Sequence, residues 1–264
     1  MSRAPTRRGG ALVAGALAAG ALAAPALVLA AQGLRTARAT YLPEPAYGVE
    51  ATVGQGAGAA LRLAVLGDST VAGIGTPGPQ ATLPVLLAER VAARLRRPVT
   101  VHGLGVSGAR TADVAGRQAA ALARTPAEAV CVVVGSNDAT HALPPWRMRA
   151  ATRQMLGRVR AAAPGAPVVL GGIPEFHTVP AVPWPLRRVL GAEADLLRAA
   201  QRAGAADAGV RFVDIRALAS PRFLADPASM SADDFHPSDV GYGYWADALA
   251  PALAAAVRAG GARR

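Results

Sequence analysis

The sequence predicts an α/β domain built on a five-stranded parallel sheet that helices cover on both faces. Five short apolar runs rich in β-branched residues have the length of buried strands; they lie at residues 61–66, 99–104, 129–134, 168–171 and 210–215. Each run is followed by turn residues and then by a longer segment rich in Ala, Leu and Arg. Strands that alternate with helices in this way favour parallel pairing through right-handed crossovers.

The helices are predicted after each strand in turn. They lie at residues 83–95, 111–123, 146–163, 186–208 and 242–259. Right-handed crossovers bring the loops that follow parallel strands to one edge of the sheet, which is where ligands of such sheets bind. The chemistry of this chain is therefore expected in those loops.

Composition limits the classes of function. A chain of 264 residues with 52% hydrophobic content can bury the core of one domain and is not intrinsically disordered. The net charge is +11, and all 28 basic residues are arginines that form no stripe interleaved with aromatic residues, so nucleic-acid binding is not predicted. Cys131 is the single cysteine, which rules out an internal disulfide. We expect a monomer.

The N-terminus has the pattern of a membrane or export element. Arg3, Arg7 and Arg8 precede an uncharged apolar run over residues 9–34. We predict an N-terminal apolar helix over residues 1–34, whose length favours a signal anchor, although small residues in the run also fit a cleaved signal peptide. The charge bias places the following domain outside the membrane, or makes the protein secreted if the segment is cleaved.

The next segment, residues 35–58, contains several Pro and Gly residues and is predicted to be a linker. The catalytic domain is expected over residues 59–264.

Polar residues collect where the predicted strands end. The four motifs are Gly67-Asp68-Ser69-Thr70, Gly105-Val106-Ser107-Gly108, Gly135-Ser136-Asn137-Asp138 and, before the last helix, Asp233-Asp234-Phe235-His236. A serine, an imidazole and a carboxylate are the groups that acyl transfer requires. We predict Ser69 as nucleophile, His236 as its base and Asp233 as the group that orients the imidazole.

The oxyanion of a tetrahedral intermediate needs donors that are fixed before the reaction begins. The predicted donors are the backbone N–H groups of Ser69 and Gly108 and the side-chain amide of Asn137.

These four motifs, in this order, resemble those of the SGNH or GDSL-type hydrolase family, and the resemblance covers about residues 61–258. Two positions depart from the family pattern: Thr70 stands where the family name has Leu, and Gly103 stands where an asparagine is usual. The resemblance implies a flavodoxin-like three-layer sandwich. It also implies a serine esterase that needs no cofactor or metal and acts on acyl or acetyl groups of a lipid or carbohydrate.

Two other interpretations stay open. Residues 105–109 are one residue away from the G-x-S-x-G elbow of an α/β-hydrolase, which would make Ser107 the nucleophile. The same fold could also be a catalytically silent module that binds the cell envelope. A G-x-G-x-x-G match at residues 73–78 begins too far after the strand for a dinucleotide site, and the four histidines are too scattered for a two-metal phosphoesterase.

Four residues are predicted to contact the substrate. Asp68 adjoins the nucleophile and His141 follows Asn137 closely. Phe176 and Trp184 belong to a long loop over residues 173–185 that is apolar and rich in proline. We predict that this loop forms the wall of an acyl pocket.

Overall fold

The computed structural model describes residues 25–261, which contain a mixed sheet of six strands. The strands are β1 (Glu50–Val53), β2 (Leu61–Gly67), β3 (Val99–Gly103), β4 (Ala129–Val133), β5 (Val168–Gly171) and β6 (Arg211–Val213). They lie in the order β1-β3-β2-β4-β5-β6. All neighbours pair in parallel except β1, which runs antiparallel to β3 with Val53 opposite Val99.

The five predicted strands correspond to β2–β6, and their spatial order is that of flavodoxin-like sheets. The prediction of a five-stranded, purely parallel sheet is wrong because β1 adds an antiparallel edge. This strand lies within the segment predicted as a linker. Its four residues alternate between exposed and half-buried positions and form no apolar run that would predict a buried strand. The strand is held instead by backbone hydrogen bonds to β3.

The described part of the chain contains nine α-helical segments, besides two short 3-10 turns at Pro79–Ala81 and Pro227–Ser229. The nine segments are α1 (residues 25–37), α2 (Ser69–Ala72), α3 (Leu83–Leu95), α4 (Thr111–Asp113, a π-helical turn over Val114–Gln118, and Ala119–Leu122), α5 (Ser136–Thr140), α6 (Pro145–Ala162), α7 (Leu186–Asp207), α8 (Ile215–Ala225) and α9 (Asp239–Gly261).

Helices cover both faces of the sheet. Strand β2 shows why: Leu63 and Val65 point into a core shared with α3 and α9, whereas Ala64 and Leu66 point into a core shared with α6. Successive side chains of a strand face opposite ways, so a strand that is apolar throughout must be buried on both faces. This arrangement gives the three-layer sandwich that the resemblance implied.

The predicted N-terminal apolar helix falls mostly before residue 25, outside the described residues. Its last part belongs to α1, which lies against the domain: Gln32 Nε2 donates to the carbonyl of Trp184 at 2.8 Å, and the N–H of Leu186 donates to Gln32 Oε1 at 3.1 Å. Within residues 25–261, no helix combines the length and apolar character that crossing a bilayer requires.

The strand order creates the crevice that positions the site. The chain leaves β2 toward β3 on one side, and leaves β4 toward β5 on the other. The loops after β2 and β4 therefore diverge, and a crevice opens between the carboxyl ends of these two adjacent strands. Ser69 follows β2 and Asn137 follows β4, so both lie at this crevice.

Candidate active site

Ser69 is held at the crevice as the first residue of the short helix α2. Asp68 caps this helix, and its Oδ1 accepts hydrogen bonds from Thr70 N at 3.1 Å and Thr70 Oγ1 at 2.8 Å. Burial raises the pKa of Asp68 against the opposing effect of those bonds, and the residue is only 1% exposed. The structure places the Asp68 carboxylate in the cap of α2, and its predicted contact with substrate stays a prediction.

The strand end before Ser69 is fixed by a residue that the sequence did not single out. The Gln118 side chain accepts from Gly67 N at 2.9 Å and donates to Gly67 O at 2.7 Å. Gln118 is buried in the π-helical turn of α4, and one glutamine in an Ala-rich segment gives no local signal of this role. The bidentate contact sets the position from which the chain enters Ser69.

His236 joins Ser69 to Asp233. Its Nε2 lies 3.0 Å from Ser69 Oγ, and its Nδ1 lies 2.7 Å from Asp233 Oδ2. The imidazole is 6% exposed, so water competes little for either contact. The structure thus brings together the three residues predicted as nucleophile, base and orienting group. Ser107 is exposed, and the imidazole faces Ser69 instead of it.

The loop of Asp233 is shaped by its own carboxylate. Oδ1 accepts from the backbone N–H groups of Phe235 at 2.9 Å and His236 at 2.8 Å, and Asp234, between Asp233 and Phe235, takes a left-handed φ of 56°. Burial alone raises the pKa of Asp233, but hydrogen bonds from His236, Phe235 and Leu42 outweigh it and hold this pKa at about 2. The group facing His236 is therefore a carboxylate at neutral pH.

The predicted oxyanion donors face the same space. Asn137 Nδ2 donates to Ala109 O at 3.0 Å, which fixes the side-chain amide beside the loop of Gly108. Gly108 has φ +74°, a conformation that glycine adopts readily. Behind them, the buried Asp138 accepts from Thr111 N and Thr111 Oγ1, both at 2.9 Å, and so ties the loop after β3 to the loop after β4.

Two spaces open beside Ser69. The inner one, of about 70 Å³, is lined by polar residues and by apolar side chains that include Phe176, Phe223 and Trp245. The outer one, of about 520 Å³, is a cleft that Gly108, Asn137 and Phe235 help to line. Ser69, Asn137 and His236 border both spaces. An ester bound at Ser69 can thus extend in two directions.

The substrate-contact predictions have mixed outcomes. His141 lines the outer cleft, where its Nδ1 lies 2.7 Å from Asn137 O, and Phe176 lines the inner cavity. Trp184 lines neither space, and it is 71% exposed. The loop turns at Pro185 into α7 and leaves the indole on the surface, so the structure gives its predicted role in the pocket wall no support.

The sequence gives no indication of a further contribution from the residues before β1. Leu42 N donates to Asp233 Oδ2 at 3.2 Å, and Glu44 Oε2 accepts from Ser107 N at 3.3 Å. The ring of Tyr41 lies 4.5 Å from that of Phe235 and 6.1 Å from that of His236. Tertiary folding alone brings these residues to the site, because nearly 200 positions separate them from the catalytic loop.

Metal-binding chemistry has no evident framework in the described residues. Over residues 25–261, no group of three or more His, Cys, Asp or Glu side chains is arranged to hold a metal ion. The polar groups at the crevice are instead ordered as hydroxyl, imidazole and carboxylate.

Residues 65–244 match the model of the GDSL-like Lipase/Acylhydrolase family. The chain is similar to the GDSL-like esterase Rv1075c of Mycobacterium tuberculosis, with 32% identity over 197 residues that cover 73% of this chain and 62% of that protein. The chain thus spans less than two thirds of the length of that relative.

Three solved structures share the architecture. TesA matches with a TM-score of 0.58 and 23% identity over 73% of this chain and 97% of that one. LAE5, an alpha/beta hydrolase from the metagenome of Lake Arreo in Spain, has a TM-score of 0.57 and 20% identity, and the match covers 78% of this chain and 98% of that one. Axe2, an acetylxylan esterase from Geobacillus stearothermophilus, has a TM-score of 0.54 and 20% identity, and the match covers 74% of this chain and 93% of that one. At these identities the likeness shows the fold alone.

Proposed function

Because the chain belongs to the GDSL-like lipase/acylhydrolase family, as its four motifs predicted, we propose that it hydrolyses carboxylic esters through an acyl-enzyme on Ser69. The observation that carries the proposal is the unbroken chain of contacts from Ser69 Oγ through His236 to Asp233, at 3.0 and 2.7 Å. A serine hydroxyl is a weak nucleophile until a base removes its proton, and this geometry supplies that base.

In the proposed first half-reaction, His236 Nε2 takes the proton of Ser69 as Oγ attacks the ester carbonyl carbon. The carbonyl oxygen becomes an oxyanion, which accepts from the Ser69 and Gly108 N–H groups and the Asn137 amide. When the intermediate collapses, the bond to the alcohol oxygen breaks and His236 returns the proton to that oxygen. The alcohol leaves and an acyl-serine remains.

In the second half-reaction, His236 takes a proton from water, and the resulting hydroxide oxygen attacks the acyl-serine. Collapse then breaks the bond to Ser69 Oγ, which regains the proton from His236, and the carboxylic acid is released. Asp233 keeps its negative charge throughout, since its pKa is about 2, and stabilises the imidazolium that forms in each half-reaction.

Labelling with a fluorophosphonate tests the proposal, because this reagent reacts with activated serines. We expect the wild-type chain and Ser107→Ala to be labelled and to hydrolyse ethyl acetate, and Ser69→Ala to lose both properties, with a fall in rate of about 10⁴-fold or more. The reverse pattern would assign the nucleophile to Ser107. An unlabelled, inactive wild-type chain that is folded would indicate a silent binding module instead.

We also propose that the N-terminal segment inserts into a membrane and leaves the domain outside. Three arginines precede the apolar run, and only Arg35 and Arg38 follow it closely. Since Gln32 bonds to the domain, any embedded part must precede it. We expect a membrane-fraction band that protease removes from intact cells. A full-length cytosolic form, or a shortened form in the medium, would contradict the anchor.

A further inference from the structure

We infer that α1 and the strap that follows it (residues 38–47) complete a binding subsite for a long apolar group of the ester. The inference rests on the proposed function, because the subsite opens on Ser69. Neither segment lies within the residues that match the family model, which begin at residue 65. The outer cleft is nevertheless lined by Gly33, Thr36 and Ala37 of α1 and by Tyr41 and Leu42 of the strap.

The helix presents one face to the cleft. Gly33, Thr36 and Ala37 are spaced three and four residues apart, which places them side by side on an α-helix. Leu34, one position along, points away and is 52% exposed. Leu186 and Leu190 of α7 also line the cleft. The substrate space over Ser69 is therefore bordered by both α1 and α7.

This wall is fixed to the domain at both ends. Gln32 makes two hydrogen bonds to the loop that leads into α7, at 2.8 and 3.1 Å. At the end of the helix, Tyr41 OH donates to Thr36 O at 3.0 Å, and the Leu42 and Glu44 contacts join the strap to the catalytic loop and to Ser107. These hydrogen bonds, at the helix and along the strap, hold α1 in place beside the cleft.

The lining indicates the class of ligand. No Asp, Glu or Arg side chain lines the cleft, so a charged ester would find no such partner there. The apolar part of the wall consists of Leu42, Ile74, Leu186, Leu190 and Phe235. An apolar chain, by contrast, gains free energy with each methylene that it buries.

The two volumes decide where such a chain goes. The outer cleft, at about 520 Å³, falls within the usual range of about 300–1,000 Å³ for small-molecule sites. The inner cavity, at about 70 Å³, holds only a few heavy atoms, since one water-sized group takes about 10–15 Å³ of such space. The longer group of the ester therefore lies in the outer cleft, against α1.

Gly33 offers a direct test, because a side chain there meets no atom within 4 Å and would grow into open space. Gly33→Trp should block the cleft in the full-length chain, and Ala37→Phe should do so from the next turn. Leu34→Trp adds the same indole on the solvent side of α1 and is the matched control. The substrates are ethyl acetate, ethyl hexanoate and hexyl acetate, which lengthen the acyl and alcohol groups separately.

We expect wild type and Leu34→Trp to prefer at least one hexyl-length ester over ethyl acetate. Gly33→Trp and Ala37→Phe should lower kcat/KM for that ester by about 10-fold or more, with less than about a 2-fold change for ethyl acetate. Equal loss on all substrates, or no loss in either blocking variant, overturns the subsite. If Ser69 is labelled by fluorophosphonate in these variants, the proposed function stands while the subsite fails; a wild type that is neither labelled nor active overturns both.

Discussion

Leu42 and Asp233 are joined by a hydrogen bond of 3.2 Å from the backbone N–H of the first to Oδ2 of the second, across 191 positions of the chain. The same carboxylate oxygen lies 2.7 Å from His236 Nδ1. A segment outside the family match thus shares the carboxylate atom that orients the proposed catalytic base. It satisfies a lone pair of a carboxylate whose side chain is only 4% exposed.

Removing that N–H should impair catalysis through the orientation of Asp233. Proline has no backbone N–H, so Leu42→Pro deletes the donor, whereas Leu42→Ala also removes the isobutyl group but keeps the donor. With ethyl acetate, we expect kcat of Leu42→Pro to lie about 10-fold below that of Leu42→Ala, because hydrogen bonds to charged groups are strong. Similar KM values in the two variants would show that binding is unaffected.

The two Leu42 variants should also differ in the pKa of Asp233. Without the donor, the pKa of Asp233 should move up from about 2 toward its ordinary value. The apparent pKa of the acid limb, in a plot of kcat against pH, would then be higher in Leu42→Pro and unchanged in Leu42→Ala. Equal kcat and equal acid limbs would show that the Leu42 contact has no part in positioning the carboxylate.

The low pKa of Asp233 also predicts how stability depends on pH. A carboxyl group whose pKa is lowered by folding stabilises the native state above its ordinary pKa of about 3.9, and this contribution disappears as the pH falls through the folded value of about 2. Asp233→Asn cannot titrate. We therefore expect wild type to lose more of its free energy of unfolding than Asp233→Asn between pH 4 and pH 2, measured by urea denaturation. Parallel curves would contradict the assignment.

Asn137 should contribute to catalysis and little to folding. Its side chain makes one hydrogen bond, to Ala109 O, and the other amide hydrogen is available to an oxyanion. Loss of one such donor typically lowers kcat by about 10²–10³-fold. We expect that loss in Asn137→Ala, with KM nearly unchanged. Gln154→Ala removes an amide from the exposed face of α6 and is the control. A higher KM with an unchanged kcat would indicate a role in substrate binding instead.

The parts of the fold and site that the sequence predicts are those with local signals. Ser69, Asn137 and His236 stand in short motifs at strand ends, and parallel topology brings such ends to one edge. Strand β1 and Leu42 are not predicted because they act through backbone hydrogen bonds, to β3 and to Asp233. Almost any residue type can make such bonds, so the sequence carries no signal of them. Trp184 misleads for the opposite reason: its side chain suits a pocket wall, but only the course of the loop decides where it points.

Gly67 shows where the packing behind the site has no room. A Cβ placed on this residue would lie 2.0 Å from Val133 O and 2.6 Å from Val71 Cγ2. The carbonyl cannot move aside easily, since β4 is paired on one edge with β2 and on the other with β5. Only glycine lets the two central strands approach each other at the point where the chain turns toward Ser69.

Gly67→Ala should therefore destabilise the fold by about 1–3 kcal/mol or more, as overpacking does, and should displace Ser69 as well. Gly116 in α4 is the matched control, because an added Cβ there has open space and alanine suits a helix better than glycine. We expect urea denaturation to show a lower midpoint for Gly67→Ala and an unchanged or higher one for Gly116→Ala. In Gly67→Ala, kcat for ethyl acetate should fall even where the protein remains folded, because the strand end that Gln118 fixes has shifted. Wild-type stability and activity in Gly67→Ala would mean that β2 and β4 can separate without cost to the site.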